Sequence, residues 1–282
     1  MNIKLNQIEI KTKQNIFLEG YYFQNKNNKC IYFIPGMTGE FSKLDFAQKI
    51  AEISIKNKYD FLAGNTLGSG EIKKLKIDDK GKKGTIVKGA AYEKFEDCIY
   101  DIDAWLDFLK SKNYDEIIII CHSLGCNKIV HYLNKQANHL IKKLILLAPQ
   151  DIKFNNLKIH AGLLEEAIKN INNNESNKLL SKKLLKSCLI SSQTYYDLIN
   201  NQDIMNIPYK TNNPDFSKIS NIKMPILSVM GTKDGGKKSE EYMALISKNC
   251  QDGKYYIIKD ANHIFENKEE ELSKIIIDFL EE

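Results

Sequence analysis

Arginine is missing altogether: the chain of 282 residues carries 41 lysines and no guanidinium. No side chain can therefore clamp a carboxylate or phosphate in bidentate fashion, so an anionic ligand group must be met by lysine, backbone N–H groups or a helix terminus. The lysines behind the net charge of +5 are scattered along the chain instead of gathered in one run, which argues for a solvated surface and against a nucleic-acid partner. Long apolar runs are lacking too. None approaches the length of a membrane span, and the N-terminal Met-Asn-Ile-Lys-Leu-Asn-Gln has no apolar signal core, so the expected setting is cytoplasmic, with no membrane span. The six cysteines, Cys30, Cys98, Cys121, Cys126, Cys188 and Cys250, show neither metal-site spacing nor a disulfide scaffold, and no two histidines have zinc-site spacing. No cofactor is expected. No internal repeat is visible, and 43% hydrophobic residues suffice for one large core, with room for an insertion.

What is present is most concentrated in residues 115–127, Asp-Glu-Ile-Ile-Ile-Ile-Cys-His-Ser-Leu-Gly-Cys-Asn. Four successive isoleucines, Ile117 to Ile120, fit a strand enclosed on both faces, since β-branching suits a packed pleated surface. From Asn127 onward Ile129, Val130 and Leu133 recur at helical spacing, so strand turns into helix around Ser123. A serine at such a turn holds its hydroxyl in the open at the start of a helix. Cys121 and Gly125 supply the small neighbours, with Cys where G-x-S-x-G has its first Gly. A serine ahead of an apolar-periodic helix is also an ordinary N-cap. The strand-turn-helix context favours a nucleophile elbow.

Taken in order, residues 3–10 and 16–23 predict two antiparallel strands at a sheet edge. Cys30 to Ile34 is a buried strand ending in Pro35-Gly36-Met37-Thr38-Gly39, a loop able to aim N–H groups at an oxyanion, and a helix is expected at 42–56. A short strand at 59–63 precedes Asn65-Thr66-Leu67-Gly68-Ser69-Gly70. Residues 71–90, with seven lysines and the turn signal Asp78-Asp79-Lys80-Gly81, predict a surface hairpin. Phe95, Cys98, Ile99, Ile102, Trp105, Leu106 and Leu109 mark the buried stripe of a helix, with Glu96, Asp101 and Lys110 off that stripe. Leu144 to Ala148 is another buried strand, and alternating strands and helices argue for a mostly parallel sheet flanked by helices. Between 152 and 220 the periodicity is helical instead, over Leu163–Ile171, Leu179–Ile190 and Tyr195–Ile204, as a cap inserted above a site would look. The expected division is a core of 1–151 and 221–282 with a cap of 152–220. Strands at 224–230 and 255–258 and helices at 238–248 and 268–280 complete the core.

Two more candidates follow late strands. Asp234 lies in the loop Gly231-Thr232-Lys233-Asp234-Gly235-Gly236, and His263 lies in Asp260-Ala261-Asn262-His263. Their order after Ser123 is one known for Ser-Asp-His triads, and both fall at strand ends, where such groups converge. Asp151, just past Ala148-Pro149-Gln150, is an alternative acid. His122 points away from the Ser123 hydroxyl and reads as structural support. His131 and His139 lie on or after the helix that follows, and His160 falls in the cap.

The chain resembles the α/β-hydrolase-fold serine hydrolases. The likeness rests on Cys121-His122-Ser123-Leu124-Gly125, close to Gly-His-Ser-x-Gly, on Gly231-Thr232-Lys233-Asp234 and on Asp260-Ala261-Asn262-His263, and it covers nearly everything outside the cap. Residues 65–70 are similar to that family's Asp-x-Arg-Gly-x-Gly with Asp and Arg replaced, which puts a structural polar contact in doubt. The stretch Gly89 to Cys98 with Ala104 to Leu109 resembles a branch that includes siderophore esterases. The resemblance implies Ser123 as nucleophile, His263 as base and Asp234 as the acid orienting it, with an oxyanion held by the N–H groups of Met37 and Leu124. It implies a small-molecule carboxylic ester as substrate, attacked to give an acyl-enzyme. Acyl transfer to another acceptor and an inactive ligand-binding relative stay open beside hydrolysis. The apolar faces at 152–220, among them Leu163, Leu164, Ile168, Leu184, Leu185, Leu189, Tyr195, Tyr196 and Leu198, exceed what one small layer needs. They either pack internally or line a pocket over Ser123, with Tyr195 and Tyr196 as substrate contacts; such a pocket favours longer acyl chains.

Overall fold

A computed structural model describes residues 4–136, 138–152, 162–184, 188–201, 207–210 and 214–282. Ile3, His160, Leu185 and Ile204 lie outside the described residues. The strands are β1 (Lys4–Lys11), β2 (Phe17–Gln24), β3 (Lys29–Ile34), β4 (Asp60–Gly64), β5 (Lys73–Asp79), β6 (Lys82–Lys88), β7 (Glu116–His122), β8 (Ile141–Leu147), β9 (Ile226–Gly231) and β10 (Gly253–Ile258). The longer helices are α1 (Asp45–Lys56), α2 (Cys98–Lys110), α3 (Leu124–Lys135), α4 (Leu163–Asn172), α5 (Ser192–Asn200), α6 (Ser239–Lys248) and α7 (Glu269–Glu281).

Among the described residues one sheet of 8 strands runs β1-β2-β4-β3-β7-β8-β9-β10. β1 and β2 pair antiparallel, as does β2 with β4, and from β4 to β10 every pairing is parallel. The antiparallel edge and the parallel centre are those the sequence predicts. The four isoleucines of β7 show why such a strand sits centrally. Ile117 and Ile119 pack on one face with Tyr32, Trp105 and Ile129, while Ile118 and Ile120 pack on the other with Phe33, Phe46 and Ile276. Alternate side chains leave a strand on opposite faces, so only a strand covered by helices on both sides can bury all four. α2, α3 and α6 supply one cover, and α1 and α7 the other. Each isoleucine so buried contributes roughly 1.5–3 kcal/mol relative to exposure.

Two local sequence signals are obeyed closely. Residues 73–88 form a separate two-stranded hairpin, turning at Lys80 (φ 51°) and Gly81 (φ 84°), the two positive φ values of a type I′ turn. Trp105, the single tryptophan, is fully buried over Gly20 and Gly64, where an added Cβ would lie 2.5 and 2.7 Å from its ring. Its indole N–H donates to the Asn65 carbonyl at 2.9 Å.

Two expectations fail. Leu179–Ile190 is not a helix where it is described: Leu179 bridges Ser191, Leu184 bridges Cys188, and the Leu180 N–H donates to the Ile190 carbonyl at 3.0 Å. The chain doubles back on itself, yet Leu180, Leu184, Cys188 and Ile190 are buried in one apolar cluster. Apolar spacing reported burial there and not conformation. Asp101 is the second. Three residues after Cys98 and four before Trp105, it lies on the buried side of α2 and is fully buried. Its carboxylate accepts the Leu67 N–H at 2.8 Å, and burial raises its pKa to about 7.

Between β8 and β9, α4 and α5 contribute Leu163, Ala167, Tyr195 and Leu198 to a third apolar cluster that also holds Phe95 and Leu124. Among the described residues no helix is long and apolar enough to cross a membrane.

Candidate active site

Parallel strands deliver their carboxyl ends to one edge of a sheet, and loops leaving that edge meet in a crevice. Ser123 follows β7, Met37 lies in the loop after β3, Asp234 follows β9 and His263 follows β10. Ser123 joins strand to helix within a single residue, with φ 53° and ψ −125°. That backbone region costs a non-glycine residue about 1–3 kcal/mol and persists only where the surroundings impose it. Here they do. A Cβ on Gly125 would lie 2.6 Å from the Pro35 carbonyl oxygen, and one on Gly36 would lie 2.8 Å from the Ser123 Cβ, so the loop after β3 and the turn after β7 are pressed together. Ser123 occupies the N-cap of α3, but its side chain makes no capping bond.

Instead its Oγ lies 2.9 Å from His263 Nε2, and His263 Nδ1 lies 2.9 Å from Asp234 Oδ2. A carboxylate only accepts, so Nδ1 carries the proton and Nε2 accepts from the hydroxyl. Asp234 is held in a single helical turn, Thr232–Gly235, and the two late loops are stitched together. The Lys233 N–H donates to the Ala261 carbonyl at 2.9 Å, and the Asp260 N–H donates to Thr232 Oγ1 at 2.8 Å. Gly231 approaches so closely that a Cβ would lie 2.2 Å from the Ala261 carbonyl oxygen.

Asp151 is occupied elsewhere. It is buried, and its Oδ2 accepts the N–H groups of Tyr209 at 2.8 Å and Lys210 at 2.7 Å, anchoring that stretch to the end of β8. His122 meets His263. Its Nε2–H donates to the His263 carbonyl at 2.8 Å, and the two rings lie 4.8 Å apart. Burial, and next the neighbouring His263, push the His122 pKa down to about 3, so the ring is neutral and supports the His263 backbone without competing for a proton. His131 is buried on α3 against Phe95. Among the described residues no group of His, Cys, Asp and Glu could hold a metal.

Neither the Met37 nor the Leu124 N–H has an acceptor among the described residues. The Met37 loop is fixed from behind. Thr38, at φ 59°, donates its N–H to the Gly68 carbonyl and accepts from the Gly70 N–H, both at 3.1 Å. Met37 and Leu124 line a small cavity together with Thr194, Asp197 and Leu198 from α5. Tyr195 is buried in the apolar cluster beneath, and neither it nor Tyr196 lines this cavity.

The sequence does not reveal the buried ion pair beside the site. Lys128, on α3, has no exposed surface, and its Nζ donates to Glu93 and, at 3.1 Å, to Thr66 Oγ1. Thr66 belongs to the stretch Asn65 to Gly70, so the Lys128 ammonium ties α3 to the loop after β4. The partners are separated by 35 and 62 positions, and no local pattern links them. Lys128→Met leaves Glu93 as an uncompensated buried charge and is expected to cost about 3–5 kcal/mol. Adding Glu93→Gln should recover most of that. Denaturant unfolding of both variants checks this, and a single-variant loss below about 1 kcal/mol would contradict it.

The serine hydrolase family matches residues 96–193, a span that contains Ser123 but neither Asp234 nor His263. Among solved structures, the Pyrococcus furiosus esterase Pf2001 is similar over 99% of this chain and 91% of its own, at 17% identity and a TM-score of 0.62. Est1E from Butyrivibrio proteoclasticus is similar over 97% of each chain, at 16% identity and a TM-score of 0.64. Alpha/beta hydrolase domain-containing protein 10 from mouse is similar over 98% of each chain, at 14% identity and a TM-score of 0.64. A comparison with curated proteins by sequence gives no match. The likeness to these structures shows an α/β-hydrolase fold, and the serine hydrolase family matches the part of the chain that holds Ser123.

Proposed function

We propose that the chain hydrolyses a carboxylic ester through an acyl-enzyme formed on Ser123. The observation that carries this is the unbroken hydrogen-bonded path from Ser123 Oγ through the His263 ring to Asp234. A serine hydroxyl attacks a carbonyl only as its proton leaves, and His263 Nε2 stands where that proton goes. Asp234 keeps the other ring nitrogen protonated and stabilises the imidazolium while it exists. The tetrahedral oxyanion is received by the Met37 and Leu124 N–H groups, which have no other acceptor among the described residues and, at Leu124, sit at the positive end of α3. His263 then hands the proton to the departing alcohol oxygen. Water enters on the same face, gives a proton to Nε2 and attacks the acyl carbonyl, and collapse returns that proton to Ser123 and frees the acid. Residues 152–220 act as the cap over this crevice.

The Pyrococcus relative is an esterase by name, which agrees with an ester as the substrate class. The purified protein is expected to release p-nitrophenol from p-nitrophenyl acetate and to yield free acetate even with an alcohol added as acceptor. An acetylated alcohol as the main product would mark an acyl transferase, and no turnover of any simple ester would overturn the proposal.

A further inference from the structure

We infer that Lys128 and Glu93 are positioning residues for the oxyanion donors, a buried pair that fixes the Met37 N–H relative to the Leu124 N–H; the inference rests on the ester-hydrolase proposal above. The two donors belong to separate elements. Leu124 opens α3, and Met37 lies in the loop after β3, so both can reach one oxyanion only while helix and loop are held in one relation. The close packing of Gly36 against Ser123 and of Gly125 against Pro35 is one constraint on that relation. Lys128 supplies a second. One helical turn after Leu124, it donates to Thr66 Oγ1 at 3.1 Å and to Glu93, which ties α3 to the loop after β4. Glu93 presses on the same loop, since a Cβ on Gly68 would lie 2.2 Å from Glu93 Oε2.

That loop in turn holds the residue after Met37. The Gly68 carbonyl accepts the Thr38 N–H, and the Gly70 N–H donates to the Thr38 carbonyl, both at 3.1 Å. Thr38 has φ 59°, a left-handed conformation that is an outlier for a β-branched residue and persists only where the surroundings impose it. If Thr66 and Gly68 shift, Thr38 can relax toward an ordinary φ and carry the Met37 N–H out of line. Lys128 has no exposed surface, so it cannot touch a substrate, and its effect on the reaction passes through the loop. Glu93 lines the small cavity with Met37 and Leu124, which places the pair beside both donor residues. Apolar side chains could fill such a space at no loss of stability. A hydrogen-bonded buried network, by contrast, is satisfied in one arrangement only, and a donor stabilises an oxyanion only when it already stands where the charge develops.

The test is the double variant Lys128→Met with Glu93→Gln, which removes both charges together and leaves neither buried alone. Its denaturant midpoint should return most of the way to that of the wild type. Its kcat for p-nitrophenyl acetate should nevertheless fall by roughly tenfold or more, a part of the roughly 10²–10³ lost with a whole oxyanion donor, while KM stays within about twofold. Affinity for a phenyl trifluoromethyl ketone, which adds to an activated serine as a tetrahedral oxyanion, should weaken by a factor like that in kcat/KM. Thr66→Val and Thr66→Ser form an independent pair that leaves both charges in place. Valine removes the hydroxyl that Lys128 donates to and should lower kcat several-fold, whereas serine keeps it and should hold kcat within about twofold of the wild type. A double variant of recovered stability with wild-type kcat and ketone affinity overturns the inference while leaving ester hydrolysis intact. So does a loss confined to KM. Equal turnover by the two Thr66 variants overturns it as well, and that pair decides the matter if the double variant folds poorly. No turnover by the wild type overturns the ester proposal and this inference together.

Discussion

Ser123→Ala is expected to lower ester turnover on the order of 10⁶-fold, the scale seen when the nucleophile of a triad is removed, while the protein remains folded. The two halves of that expectation have separate causes. Loss of turnover follows because no other hydroxyl lies against His263 Nε2 among the described residues. Retention of fold follows because Ser123 Oγ caps no helix N–H, so its removal leaves no buried donor without a partner, and alanine meets the same positive φ that serine already tolerates. The expected stability change is thus within about 1 kcal/mol, a small part of an ordinary domain's stability. Turnover of p-nitrophenyl acetate and the denaturant midpoint, measured on one preparation, separate the two. Retained turnover in clean variant protein would remove Ser123 from the chemistry.

The second large effect is expected from Asp234→Asn. An amide can turn its NH₂ toward His263 Nδ1, favouring the tautomer with its proton on Nε2, which cannot accept the Ser123 proton. In the best-studied triad that exchange costs roughly 10⁴-fold in kcat. Asp151→Asn makes the contrast, since both carboxylates follow central strands. Asp151 receives the Tyr209 and Lys210 N–H groups, and the asparagine carbonyl can still accept, so the expected loss is in stability and below about tenfold in kcat. If Asp151→Asn proved the more damaging to kcat, the orienting acid would be at the end of β8.

How far the sequence disclosed these features depends on whether the cause was local. The elbow was legible because Ile117 to Ile120 and then Ile129, Val130 and Leu133 change period within a few residues, and backbone geometry answers to such periods directly. Asp234 and His263 were legible because each closes an apolar run at a strand end. Long-range electrostatics left no such trace. Nothing near Lys128 announces that Glu93 and Thr66 lie across from it, and Asp101 looks like a surface acid until Leu67 is seen to donate to it. His122 shows a partial disclosure: a supporting role was expected from its place beside Ser123, but its bond to the His263 carbonyl depends on how the loop after β10 folds over the sheet edge. In the segment Leu179–Ile190 apolar spacing suggested a helix, yet the same side chains are buried by a chain that doubles back, because burial and helicity are different demands on one pattern.

In the proposed reaction one serine, activated through His263, attacks the acyl carbonyl. Brief treatment with a fluorophosphonate followed by peptide mass mapping tests it most directly, since the reagent phosphonylates an activated serine and stops there. A single adduct is expected, on Ser123, formed in the wild type and lost in Ser123→Ala. An adduct on another residue, or no adduct in folded protein that still cleaves esters, would contradict it.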